Sequence, residues 1–474
     1  MFKNYIKGER SKTMKKLHTV SPSPEVINYL TNEYHKKWKP LGFSFKQFLF
    51  ARDYQNPAHN INGMDDNYVG VAHNGEVDLI EIPHTPMTGN LRVMVLLIDF
   101  PDLKGELPKE HYEDLLFSRN TYPTGSMADY YDEVSRGKVH VQGEVHGWFR
   151  MPQNYTYYTN GHSGIRREDL YPRDARGLAE DAVKAALAQG VNFNSDLDAL
   201  RNGTVTALFI VHAGRGAEKL PPPLGRNNIW SHKWNLKNPQ QVAPGLMIST
   251  YLMVPQEALL GVCAHELGHL AFQWQDFYDA NYNEDGDYWD GNGKWDLMAS
   301  GSYAEREMRP VHPVGLHKLQ HGWIEHEVIN ETRTGIVLDP VTLSSGKVLK
   351  VKGPGYKNNQ YLLLENRAKE KFDKGLPGEG LLVWRIDESK EQEGSVHPGM
   401  LLIQADGNND LLDPNDGNDG DPGDPFPGTS NIIQLSNTGR ISTSFPDRPS
   451  GVSLKNISYH QETKQIQLDI IIES

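Results

Sequence analysis

Residues 257–279 read EALLGVCAHELGHLAFQWQDFYD, and the chemistry written into this stretch decides how the rest of the chain is read. His265 and His269 are four residues apart, so on a helix they share one face, a turn apart. Two neutral imidazole nitrogens at that separation can grip one ion, and a catalytic zinc takes three protein ligands and leaves a fourth position to water. Glu266 follows the first histidine and is rotated by ~100° around the helix. It therefore falls beside the metal-bound water, where a carboxylate serves as general base and then carries the proton to a leaving amine. Cys263, Leu267, Leu270 and Trp274 recur at four-three-four spacing, which predicts a helix that packs on one side and turns both histidines towards a cleft.

The third ligand must come from further along. Asp276 and Asp279 in QDFYD are candidates, with Glu305 and Glu307 more distant. Compact zinc peptidases of the metzincin type place their last ligand ten residues after the first histidine and a glycine between. Here Phe272 stands at the glycine position, Gln275 is the tenth residue and Asp276 is one further. Asp276 is the favoured ligand, because one added residue in the turn still lets a carboxylate reach the ~2.0–2.2 Å zinc–oxygen distance.

Around this centre lie 474 residues, enough for two to four domains. Lys and Arg total 48 against 61 Asp and Glu; the resulting net charge of −13 opposes nucleic acid and anionic membranes as partners. No apolar run approaches the ~20 residues of a membrane-spanning helix, and the basic first twenty residues are not followed by the apolar segment of a signal peptide. Cys263 is the sole cysteine, so no intrachain disulfide can form, and it reads as a small buried hydrophobe.

Residues 1–88 are polar and punctuated, with a short helix opening at SPSPEVINYL and residues 53–75 irregular; they form an N-terminal region that could serve as a pro-segment. Residues 89–330 carry the catalytic pattern. LRVMVLLIDFPD (91–102) and TVTALFIVHAG (204–214) are buried strands, DARGLAEDAVKAALAQ (174–189) is an amphipathic helix, and residues 126–152 pass from a helix to strand segments at 139–141 and 144–146. From residue 331 the texture changes to GIVLDPV, KVLKV, QYLLLEN, GLLVWRID, GMLLIQAD and VSLKNISYHQETKQIQLDIII. Regular short strands between turn residues predict a β-rich, sandwich-like domain over 331–474.

The chain resembles the immune inhibitor A family of secreted bacterial zinc metallopeptidases. The resemblance rests on HELGH and DFYD, on KWDLMASGSYAE (294–305), which is similar to that family's Met-turn, and on HPVGLHKLQHGWI (312–324). Upstream it takes in VLLIDFPD, YPTGSMADYYDEVSRGKVHVQGEVHGW, VHAGRGAE and NIWSHKW, and downstream YLLLENR, FDKGLPGEGLLVWRID, LLIQADG and GDPFPG. It implies zinc on His265, His269 and Asp276, Glu266 as acid/base, Met298 as the Met-turn residue beneath the metal, and an extracellular location. The fold expected is α+β, a metzincin-like catalytic domain followed by the β-rich one.

Two loops, 279–296 and 405–428, are crowded with Asp, Asn and Gly, the oxygen-rich composition that calcium prefers. In the second, Asp406, Asp410, Asp416, Asp419, Asp421 and Asp424 are candidate ligands for a structural calcium, a reading the resemblance around GDPFPG strengthens. Tyr303 and His232 are candidates to polarise a scissile carbonyl, whereas His312 and His317 read as structural. The expected function is zinc-dependent endopeptidase action on extended polypeptide. The competing reading is a calcium-stabilised binding or adhesion protein with a non-catalytic zinc site. The sequence leaves the oligomeric state open.

Overall fold

The computed structural model describes residues 18–52, 54, 68–73, 76–81, 85–165, 170–278, 290–389, 399–412 and 418–473. The N-terminal region supplies β1 (His18–Thr19), α1 (Pro24–Glu33), α2 (Phe45–Ala51) and the hairpin β2 (Tyr68–His73) and β3 (Glu76–Glu81). That hairpin corrects the reading of residues 53–75 as irregular at residues 68–73, residues 53, 55–67, 74 and 75 lying outside the described ones: YVGVAH alternates too weakly to be seen alone, and its antiparallel pairing with EVDLIE makes it a strand.

The expected α/β layer follows. It comprises β4 (Gly89–Asp99), α3 (Lys109–Phe117), α4 (Met127–Val134), β5 (Val139–Arg150), α5 (Tyr155–Thr159), α6 (Ala175–Ala188) and β6 (Leu208–His212). It continues through β7 (His232–Ala243), β8 (Leu246–Pro255) and α7 (Leu260–Phe272). The six-stranded sheet has the order β1-β7-β8-β6-β4-β5. Strands β5, β4, β6 and β8 run parallel, while β7 is antiparallel to β8 and β1 antiparallel to β7. Every residue of β4 from Val93 to Ile98 is buried, as expected of a parallel strand covered on both faces. Capping fixes the helices around it. Ser126 accepts from Asp129 N and the Asp129 carboxylate from Ser126 N at the start of α4, and Asp174 accepts from Gly177 N at the start of α6.

After α8 (Gly315–Gln320) come the strands of the C-terminal half: β9 (Glu325–Ile329), β10 (Arg333–Leu338), β11 (Lys347–Val351), β12 (Gln360–Arg367), β13 (Gly380–Asp387), β14 (Met400–Leu402), β15 (Val452–Tyr459) and β16 (Ile466–Ile472). They form a five-stranded sheet, β14-β13-β12-β11-β9, and a three-stranded one, β10-β16-β15. Leu349, Leu362, Leu364 and Val383 of the first share one core with Val452, Leu454, Leu468 and Ile470 of the second. Among the described residues no helix is long and apolar enough to cross a membrane.

Two features of this fold aim the site. Helix α7 packs beneath the sheet and against α4, where Tyr131 Oη donates to Ala264 O at 2.6 Å and the Tyr131 ring lies 4.7 Å from that of Phe272. Strand β7 carries the N-terminal strand β1 on its outer edge, at the register His18↔Lys233 and Thr19↔His232.

Candidate metal centre and cleft

All thirteen residues of α7 are buried, its histidine face included. The sequence predicts a histidine face open to a cleft, and the difference has a simple cause: residues 19–23 of the chain itself run through that cleft. The stripe Cys263, Leu267, Leu270 and Trp274 is buried as expected.

At the centre of the helix, His265 Nε2 and His269 Nε2 stand 3.0 Å apart, and Asp276 Oδ1 lies 3.2 Å from the first and 3.1 Å from the second. Three donor atoms on a tetrahedral ion with bonds of ~2.0–2.1 Å are about 3.3 Å apart, so this near-equilateral triangle is the base of such a site. The tautomers agree. His265 Nδ1 faces Leu297 O at 3.0 Å and His269 Nδ1 faces Trp274 O at 2.7 Å. Each Nδ1 therefore carries the proton and each Nε2 presents its lone pair inward. Burial holds the His265 pKa below its usual value, with the Asp276 carboxylate opposing the shift, which keeps the ring neutral as a ligand must be. Two imidazole lone pairs and a carboxylate oxygen converging in a buried space repel unless a cation lies between them, so this donor set fits a metal.

The structure also explains how an aspartate one residue late reaches the histidines. Gln273 caps α7 in the left-handed region at φ 56°, and Trp274 N returns to Gly268 O at 3.2 Å. The chain thus turns without the glycine whose place Phe272 takes. His317 then stacks between Trp274 and Phe277, with ring centroids at 5.1 and 4.7 Å, and clamps the residues on either side of Asp276. The segment around Met298 braces both halves of the triangle: Leu297 O holds His265, and Met298 O accepts from Phe277 N at 2.8 Å. Met298 is itself buried. A side chain on Gly268 would start 2.9 Å from the Met298 sulfur, so only glycine leaves room for it under the helix.

Of the other ligand candidates, Asp279 lies outside the described residues. Glu307 is spent elsewhere, accepting from Leu259 N at 2.6 Å and pairing with Lys219 at 2.5 Å, and Glu305 pairs with Arg309.

Glu266 Oε1 accepts from Val20 N at 3.1 Å, while Oε2 is buried with no hydrogen-bond partner among the described residues. Burial raises its pKa well above the ordinary carboxylate range, with the neighbouring His269 opposing. The segment that reaches it is gripped residue by residue. Tyr278 Oη donates to Thr19 O, Trp230 Nε1 to Val20 O at 2.8 Å, and Tyr303 Oη to Ser21 O at 2.6 Å. Val20 N also donates to Ser231 O at 3.3 Å, and Ser231 is held by both its amide and hydroxyl to the buried Glu218 carboxylate.

Tyr303 therefore does line the cleft. His232 does not present a nitrogen to it: Nδ1 faces Trp230 O at 2.6 Å and Nε2 faces Tyr251 Oη at 3.1 Å, and burial depresses its pKa to about 4. Tyr278, Trp230 and Glu218 escaped sequence reasoning, although each lies in a stretch that drew notice, DFYD, NIWSHKW and VHAGRGAE. A tyrosine or tryptophan between apolar neighbours looks like core until the fold turns its polar end to the cleft.

In the acidic loop Asp406, Asp410 and Asp421 converge, with ligand atoms all within 4.8 Å of one another. The six-residue set is otherwise dispersed: Asp419 pairs with Lys294 at 2.5 Å, Asp424 is buried between Trp295 Nε1 and Gln404 Nε2, and Asp416 lies outside the described residues.

Comparison with known proteins places these observations in context. Residues 87–328 match the catalytic domain of the immune inhibitor A peptidase M6 family. The chain is 34% identical over 259 residues to the pre-pro-metalloprotease PrtV of Vibrio cholerae, covering 45% of this chain and 27% of the relative. It is 28% identical over 280 residues to immune inhibitor A of Bacillus thuringiensis, covering 49% and 39%. The chain thus spans well under half the length of these relatives.

Proposed function

The chain belongs to the immune inhibitor A peptidase M6 family, and from this premise we propose that it is a zinc-dependent endopeptidase acting on protein or peptide substrates. The observation that carries the proposal is the triangle of His265 Nε2, His269 Nε2 and Asp276 Oδ1 with Glu266 beside it. In this reading those three residues hold the metal, which supplies an acidified water and a Lewis acid for the carbonyl. Glu266 takes a proton at its carboxylate and delivers it to the departing nitrogen. Its buried, proton-retaining character suits that second task. Ser231 O, immediately before β7, and the edge of β7 that β1 covers orient an extended substrate antiparallel to that strand, and Met298 supports the histidines from below.

The finer architecture belongs to the same proposal: a metzincin-like catalytic domain over 89–330 and a sandwich-like domain over 331–474. So does a pro-segment role for residues 1–88, supported by the burial of Thr19, Val20, Ser21 and Ser23 in the cleft. An extracellular setting accords with the pre-pro form that the Vibrio relative's name records. Calcium on Asp406, Asp410 and Asp421 is supported by their convergence; a calcium-selective chelator should then lower the melting temperature, and an unchanged melt removes calcium from the scheme.

The enzyme reading is tested with zinc-loaded protein before and after brief trypsin treatment, offered casein. Chelator-sensitive cleavage by the wild type, abolished in Glu266→Ala that still binds one zinc, is the expected result. A correctly folded, zinc-replete wild type inert in both states would refute it.

A further inference from the structure

The contacts along residues 19–21 single out one peptide bond. Val20 N lies 3.1 Å from Glu266 Oε1, which is where the leaving nitrogen of a substrate must sit to receive a proton from that carboxylate. The carbonyl oxygen of the same peptide group, Thr19 O, accepts from the Tyr278 hydroxyl. The next two carbonyls have their own donors, Trp230 Nε1 at 2.8 Å and Tyr303 Oη at 2.6 Å, and Tyr278 is the donor on the carbonyl next to Glu266. The segment runs antiparallel to β7, the direction proposed above for a substrate, and Val20 has no exposed surface.

We propose that Thr19–Val20 is a bond the protein cleaves in its own chain, and that Tyr278 is a catalytic residue that donates a hydrogen bond to the scissile carbonyl oxygen. The step consumes one water. Its oxygen adds to the Thr19 carbonyl carbon as one of its protons passes to the Glu266 carboxylate, and Tyr278 stabilises the charge gathering on the carbonyl oxygen. The C–N bond then breaks with its electron pair going to Val20 nitrogen, which takes a proton from Glu266, leaving a Thr19 carboxylate and a Val20 amine. The inference rests on the peptidase reading above.

The test uses the full chain. Zinc-loaded wild type, followed by intact mass spectrometry, should lose residues 1–19 at a rate independent of protein concentration. Tyr278→Phe should be slower by about 10²-fold, the usual effect of deleting one such donor, and Glu266→Ala should not react. In the metal-free chain the Val20 amide should resist hydrogen exchange, with Tyr278→Phe raising its exchange roughly fivefold, the worth of a single hydrogen bond. The same samples, with and without trypsin nicking, are offered a quenched fluorogenic peptide. Peptide cleavage with Thr19–Val20 left intact overturns the inference and leaves the peptidase reading standing; inertness towards both substrates removes both. Self-cleavage by Tyr278→Phe within threefold of wild type removes Tyr278 from the chemistry, and free exchange of Val20 in metal-free wild type shows that the bond is not seated at all.

Discussion

At the scale of single residues, the site depends on atoms whose protonation is fixed by their surroundings. The carbonyls of Leu297 and Trp274 choose the tautomer of His265 and His269, and burial keeps His265 neutral. Asp276→Asn retains the shape but halves the charge-bearing oxygens. It should weaken zinc binding by at least the ~10–100-fold that loss of an outer-shell partner costs, as read by competition with a chromophoric chelator; a change below threefold would take Asp276 out of the donor set. Glu266→Gln still offers an oxygen that accepts a hydrogen bond but can neither take up nor release a proton, so kcat should fall by about 10²–10⁴-fold with zinc content unchanged.

Elements decide whether those residues meet. Helix α7 spaces the histidines, but the aspartate arrives only because Gln273 accepts a left-handed conformation and because the turn that follows is held between His317 and the Met298 segment. His317→Ala removes two aromatic stacks worth ~0.5–1.5 kcal/mol each. It should therefore lower the melting temperature and loosen zinc by about tenfold. If zinc affinity is untouched while stability falls, His317 supports the core and not the loop. Gly268→Ala should cost about 1–3 kcal/mol by overpacking against the Met298 sulfur, measured by urea unfolding.

Across the whole molecule, the catalytic half is joined to the β-rich half by a buried polar network. Glu133 of α4 meets His312 Nε2 at 2.8 Å, His312 Nδ1 meets Lys318 Nζ at 2.7 Å, and Arg367 of β12 forks onto Asp373 at 2.7 and 2.8 Å. Burial, with Arg367 adding to it, lowers the Lys318 pKa from 10.5 to about 7. Between those two values the unfolded chain binds more protons at this group than the folded one, so its contribution to stability rises with pH from about 7 to 10.5 and is at its poorest below 7. Lys318→Met should flatten the pH dependence of urea unfolding in that window, and an unchanged slope would mean the lysine is charged in the folded state. Breaking the fork has a different signature: Arg367→Met strands Asp373 as a buried charge and should destabilise by about 3–5 kcal/mol.

Much of this was legible in the residues alone. The spacing of His265 and His269, the glutamate between them and the core stripe behind them are local properties of one helix, and short-range geometry determines what they can do. The strands of the β-rich half were readable for the same reason, since alternation and turn residues are properties of neighbours in sequence. Tertiary structure alone decided the remainder. That Asp276 and neither Glu305 nor Glu307 joins the histidines depends on a turn braced by residues 317 and 298; that Tyr278 faces the cleft while His232 faces Tyr251 depends on which side of a sheet each lands. The occupation of the cleft by residues 19–23 depends on a strand pairing across more than two hundred residues. Such pairings are set by the burial and hydrogen-bond satisfaction of the folded whole, which the sequence specifies but no local stretch of it displays.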